Sequence, residues 1–210
     1  MDNSKVIMTG IVAKEPMIIG IQGERKLYRT EVEITRKSGT VDTVPLIYIN
    51  TSDTYKFIEE LKNNGDVIVG QLVDILGYLC TRTNNGKLFV SVMASSMSYA
   101  QVGAEHKNKV MFTGYIGKLL DIRTTPLGSN IIDATIAINR MGRSYYVPVI
   151  IWNGLAKNFK ERHNVGDKVS LIGRFQSREY RKVLGIDDAG NEQAETRVAY
   201  EVSINNVLEN

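Results

Sequence analysis

Two short runs carry side chains fit for one kind of chemistry. In RSYYVPVIIW, Arg143 to Trp152, an extended strand would put Tyr146, Pro148, Ile150 and Trp152 on one face and Val147, Val149 and Ile151 on the other. In VSLIGRFQSREY, Val169, Leu171, Gly173 and Phe175 share one face, while Arg174, Gln176, Arg178 and Tyr180 share the other. The Tyr146–Trp152 row of the first run and the Arg174–Tyr180 row of the second supply rings, guanidinium groups and an amide. Rings stack on flat π-systems, arginine pairs with phosphate or stacks on a base, and glutamine supplies hydrogen bonds. Together they suit a flexible polyanion that carries flat bases. Trp152, the one tryptophan of the chain, ends a continuous apolar run, where a buried indole could equally cap a core. The basic and aromatic row beside it favours the stacking role.

The elements that would position these rows occur twice. Lys5-Val6-Ile7-Met8-Thr9-Gly10 returns as Lys109-Val110-Met111-Phe112-Thr113-Gly114. Val44-Pro45-Leu46-Ile47-Tyr48-Ile49-Asn50 returns as Val147-Pro148-Val149-Ile150-Ile151-Trp152-Asn153, and GQLVDILGYLCTR returns as GDKVSLIGRFQSR with Gly77 matching Gly173. A period of roughly 100 residues is far longer than that of a solenoid and indicates a duplicated domain. Residues 1–97 form the first copy, 109–210 the second, and the polar, aperiodic segment 98–108 reads as a linker. Each copy opens with a strand at Val6 or Val110, followed by a second with period-two alternation: Tyr28, Thr30, Val32 and Ile34, or Ile132, Ala134, Ile136 and Ile138. The V-P-x-I run is a third strand. A short helix follows, over Tyr55 to Leu61 or Leu155 to Arg162, and two further strands close each copy. The expected fold is therefore all-β: two tandem five-stranded OB-fold barrels, each with one short helix between strands 3 and 4.

Composition narrows the classes. The 210 residues are 43% apolar and 23% charged, with a net charge of +3, which permits an anionic partner without demanding one. No apolar stretch of 18 residues exists to span a bilayer, and the start MDNSKVIMTG lacks the features of a signal peptide. A single cysteine, Cys80, cannot form an internal disulfide and fits a reducing, cytoplasmic setting. For catalysis the chain offers His106 and His163, one in the linker and one at a helix end, without a Gly-rich phosphate loop, a serine elbow or paired metal ligands. Neither an enzyme nor a metal or cofactor protein is expected.

The second copy is similar to the bacterial single-stranded DNA-binding protein family in the order and spacing of NKV at Asn108, ATIAINR, VPVIIWNGLAKNF and VGDKVSLIGRFQSREY. The first copy joins it through the repeat. The resemblance implies OB barrels that bind single-stranded DNA with little sequence preference, by stacking bases along a basic groove, in replication, recombination or repair. It favours Tyr146 over Tyr145 for the binding face. The candidate contacts in the second copy are then Trp152, Tyr146, Tyr180, Arg174, Arg178, Gln176, Arg140, Arg143 and Lys182. Met141-Gly142 stands where the family usually has a further ring. In the first copy Thr43, Ile49 and Asn84 replace Tyr146, Trp152 and Tyr180, and the outward row keeps Tyr78, Cys80 and Arg82, so this copy is the weaker binder. Outward Ile47 and Ile49 would make an apolar patch. Family members commonly present four barrels together, which a tandem chain reaches as a homodimer. The family's acidic tail is not evident after SINNVLEN, so recruitment of partners through such a tail is not expected. The two aspartates of the GIDDAGNE hairpin tip read as loop solvation rather than a metal site. A protein-interaction module or replication-restart accessory on the same barrels is the alternative, because fold does not decide function.

Overall fold

Four glycines of the repeat stand where neighbouring backbone leaves no room for a side chain. A Cβ on Gly77 would lie 2.2 Å from the Met93 carbonyl oxygen, and one on Gly173 would lie 2.3 Å from that of Ser203. Gly10 and Gly114 would meet the Glu33 and Ala137 oxygens at 2.7 and 2.5 Å. Gly77 and Gly173 also sit at the register shifts of their strands, so they mark bulges at which a sheet bends to close.

The computed structural model describes residues 3–186 and 192–208. The first half contains β1 (Ser4–Val12), β2 (Met17–Gln22), β3 (Arg25–Thr35), β4 (Val41–Ile49), α1 (Asp53–Asn63), β5 (Leu72–Asn84) and β6 (Lys87–Tyr99). The second contains β7 (Lys107–Leu119), β8 (Arg123–Thr124), β9 (Asn130–Arg140), β10 (Arg143–Trp152), α2 (Asn153–Arg162), β11 (Lys168–Ile186) and β12 (Glu192–Leu208). Each half closes in the same order. In the first, β1 pairs with both β3 and β5, β3 with β4, β5 with β6, and β4 runs parallel to β6. In the second, β7, β9, β10, β12 and β11 repeat that circuit. These are two tandem OB-fold barrels, each with one helix between the third and fourth barrel strands.

Two details differ from the expected elements. Each half holds six strands rather than five, because β2 and β8 add edge hairpins to β3 and β9. Met17, Ile18, Ile19 and Ile21 are all exposed on β2, so that strand has no period-two pattern to read, and β8 is only two residues long. The ladder also takes in both ends of the expected linker. Ser98 and Tyr99 pair with Asp74 and Val73, and Lys107 and Asn108 pair with Thr9 and Met8. Among the described residues no helix is long and apolar enough to cross a membrane.

The halves join edge to edge through antiparallel β1 and β7, with Val6 opposite Val110. Those two valines answer each other in the repeat, so the junction is a pseudo-two-fold axis. Bonds on either side of it come in matching pairs. Ser4 Oγ accepts the Leu79 N–H at 3.1 Å, and Asn108 Oδ1 accepts the Phe175 N–H at 2.9 Å. Thr81 Oγ1 accepts the Tyr146 N–H at 3.1 Å, and Ser177 Oγ accepts the Thr43 N–H at 2.9 Å. The last pair ties β10 to β5 and β4 to β11, flanking the axis with two equivalent inter-barrel seams.

Candidate nucleic-acid interface

Trp152 ends β10 and is followed at once by α2, whose first residue, Asn153, takes a positive φ of 50°. This abrupt strand-to-helix step holds the indole at the barrel rim. Its Nε1–H donates to Ser203 Oγ at 3.0 Å, which fixes the ring edge, and the ring is half-buried. An indole pinned at one edge and open on part of its face can receive a base without reordering itself.

The ring lines a groove of about 740 Å³ at the β4–β11 seam, shared between the barrels. Lys14, Arg36 and Thr43 come from the first barrel, and Arg174, Arg178 and Tyr200 from the second. Four cations, Lys14, Arg36, Arg174 and Arg178, face two lining carboxylates, Glu31 and Glu179, so the groove favours an anion. Arg36 donates from Nε and Nη2 to Asp42 at 2.7 and 2.5 Å. Asp42 is fully buried and also accepts the Ser177 N–H at 3.1 Å. The Asp42 partner raises the Arg36 pKa, whereas burial, together with the nearby Arg36 charge, lowers that of Arg174.

Arg174 and Arg178 of the expected row line the groove beside Trp152, but Gln176 needs correction. It is 4% exposed, and its Nε2 donates to Glu201 Oε1 at 2.7 Å. Its counterpart Cys80 is likewise buried, with Sγ 3.4 Å from the Ser91 carbonyl oxygen. Both side chains are used up against the neighbouring strand and have no free edge for a ligand. Ile47 and Ile49 are half-buried on β4.

The remaining candidates lie elsewhere. At the β5–β10 seam the Arg140 guanidinium covers the Tyr78 ring, with its carbon 3.5 Å from the ring centroid. Tyr146, 53% exposed, borders the same seam through its bond to Thr81, and Tyr145 is half-buried. Arg82 and Arg143 are exposed. Tyr180, 37% exposed, and Lys182 stand on the long β11–β12 arm, with the Arg178 guanidinium 5.9 Å above the Tyr180 ring. Asp187 and Asp188 of the hairpin tip fall outside the described residues. Of the histidines, His106 Nδ1 accepts the Thr35 N–H at 2.7 Å and His163 packs on Phe159. Sequence reasoning missed Lys14, Arg36 and Asp42. The available signal was the repeat itself, because a shift of 104 residues carries Arg36 onto Arg140, a residue already singled out.

Residues 107–208 match the single-strand binding protein family. Over 100 residues the chain is 30% identical to the single-stranded DNA-binding protein of Deinococcus radiodurans, which takes in 43% of this chain and 31% of that one. Over 87 residues it is 30% identical to single-stranded DNA-binding protein B of Bacillus subtilis, covering 38% of this chain and 77% of the relative. The chain belongs to the single-strand binding protein family. Its match spans only about a third of the Deinococcus protein. Both barrels take part in a likeness of fold to the wild-type single-stranded DNA binding protein of Thermus aquaticus. That likeness has a TM-score of 0.71 at 18% identity and covers 99% of this chain and 92% of the other. A deletion mutant of the Thermus protein gives 0.69 at 20%, covering 99% and 95%.

Proposed function

We propose that this protein binds single-stranded DNA with little sequence preference, in the service of replication, recombination or repair in the cytoplasm. Bases stack on Trp152, Tyr146 and Tyr180, while Arg174, Arg178, Arg140, Arg143 and Lys182 meet phosphates. Family membership supports this reading, and one observation carries it: the sole indole lies on the wall of a groove in which cations outnumber carboxylates. The second barrel does most of the work, because Tyr78 is covered by Arg140 and the first barrel has no ring at Thr43 or Ile49.

The same reading has two copies meeting to present four barrels. The outer face of β5, β1, β7 and β11 supports it, since Leu76 and Ile7 pair across one side of the axis and Ile172 and Met111 across the other. These four give a two-fold aliphatic surface at the middle of the molecule. Sedimentation at twice 23.5 kDa is the expected result, and a single 23.5 kDa species would sink the dimer.

The test of binding is tryptophan fluorescence during titration with oligo-dT at several salt concentrations. Quenching that weakens as salt rises is expected from stacking joined to counterion release. Unchanged fluorescence with no change in oligonucleotide anisotropy would return Trp152 to a scaffold role. It would favour a protein-interaction module, for which the exposed Met17, Ile18, Ile19 and Ile21 of β2 are the available surface.

A further inference from the structure

The two seams flanking the pseudo-two-fold axis are built from equivalent positions, yet they hold different side chains. Across the β5–β10 seam, the Arg140 guanidinium lies on the Tyr78 ring. In the repeat Arg36 answers Arg140 and Arg174 answers Tyr78. The β4–β11 seam therefore brings two guanidinium groups together where its counterpart has a cation on a ring. The groove of about 740 Å³ beside Trp152 lies at this seam.

The two arginines are held differently. Arg36 is locked by the fully buried Asp42, which is itself anchored by the Ser177 backbone. Arg174 has no carboxylate within ion-pair distance among the described residues. Its hydrogen bond to Gln176 is long, 3.4 Å, and its buried Nε has no partner. Most other charges of the groove are paired: Glu31 is bound by Lys14 at 2.7 Å and Arg29 at 3.1 Å, and Arg178 lies 3.7 Å from Glu201, while Glu179 is exposed at the rim. What remains is a local deficit of negative charge, fixed between two rigid barrels and open to solvent beside a stacking ring.

We propose that this seam seats one backbone phosphate of the bound strand, shared by Arg36 of the first barrel and Arg174 of the second, with the adjoining base on Trp152. This rests on the single-strand DNA reading and extends it. The strand enters between the barrels on the Trp152 side, and the first barrel contributes charge although it lacks the rings.

The experiment measures oligo-dT affinity by anisotropy against salt, using the whole chain. The variants are Arg174→Gln, the pair Arg36→Gln with Asp42→Asn, all three together, and Lys56→Gln as an exposed charge control on α1. Removing Arg36 with Asp42 avoids a buried unpaired carboxylate, and thermal melts verify folding. The combined variant is expected to lose about 0.7 from the slope of log affinity on log salt and bind about five-fold more weakly at 0.1 M salt. The two sets of changes should be non-additive, because one phosphate is shared. Arg174→Lys should recover part of the loss in a chain with an undisturbed fold. A combined variant matching Lys56→Gln in slope and affinity, or strictly additive effects, would overturn the shared phosphate while leaving DNA binding intact. A wild-type chain that fails to bind oligo-dT would remove both readings.

Discussion

At the scale of single residues, a neighbour on the next strand decides whether a side chain can reach a ligand. Trp152 keeps an open face because Ser203 holds only its edge, whereas Gln176, two residues along the same row as Arg174, is consumed by Glu201. Trp152→Ala should weaken oligo-dT binding by about 1–3 kcal/mol, the range found for base stacking on single-strand binding proteins, while Trp152→Phe should retain most of it. The same titration applied to Tyr78→Ala and Arg82→Ala should show smaller losses. Effects as large as that of Trp152→Ala would mean the barrels bind equally. Cys80 makes a separate, structural prediction. Burial pushes its thiol from the ordinary 9.0 up to about 11. Above about pH 9 the unfolded thiol gives up its proton while the folded one keeps it, so stability should fall as pH climbs from about 9 to about 11. Urea denaturation across that window should show a shallower fall in Cys80→Ala.

Among the elements, the bulged strands set what could and could not be read from sequence. The V-P-x-I strands, the two helices and the Gly77 and Gly173 positions follow from repeat and periodicity, since each has a buried face that imposes a pattern. The hairpin strand β2 escapes that logic, because Met17, Ile18, Ile19 and Ile21 are all exposed and neither face of the strand is buried. Parity puts Arg174, Arg178 and Trp152 on rows that line the groove, yet it cannot see what packs against a row from outside the strand. For that reason the outward positions of Gln176 and Cys80 turn out buried, and parity alone does not point to the groove cations Arg36 and Lys14. Closure at the bulges gives a direct test. Gly173→Ala forces a Cβ into the Ser203 carbonyl, a backbone atom with nowhere to move, and should cost about 1–3 kcal/mol in urea denaturation. Gly117, whose Cβ would meet nothing nearer than 3.6 Å, should accept alanine with little loss.

For the whole molecule, the question is whether two barrels behave as one. The β1–β7 ladder and the matched bonds Thr43–Ser177 and Tyr146–Thr81 bind each half to the other by backbone, so local opening of either exposes ladder groups on both. Unfolding should be a single transition, with tryptophan fluorescence, which reports only the second barrel, superimposing on far-UV circular dichroism, which reports both. Separated curves would show the barrels to be independent. The valine pair at the axis carries a further consequence. A junction in which Val6 faces its repeat partner Val110, and Lys5–Met111 mirrors Ile7–Lys109, is the geometry of two identical subunits, here written into one polypeptide. Two separate chains would part on dilution, but a tether as short as residues 100–106 keeps the partners at an effective concentration on the order of millimolar. The pairing thus survives at any cellular abundance, and neither surface must remain a copy of the other. One seam carries Arg140 over Tyr78 while its twin carries Arg36 and Arg174 beside Trp152.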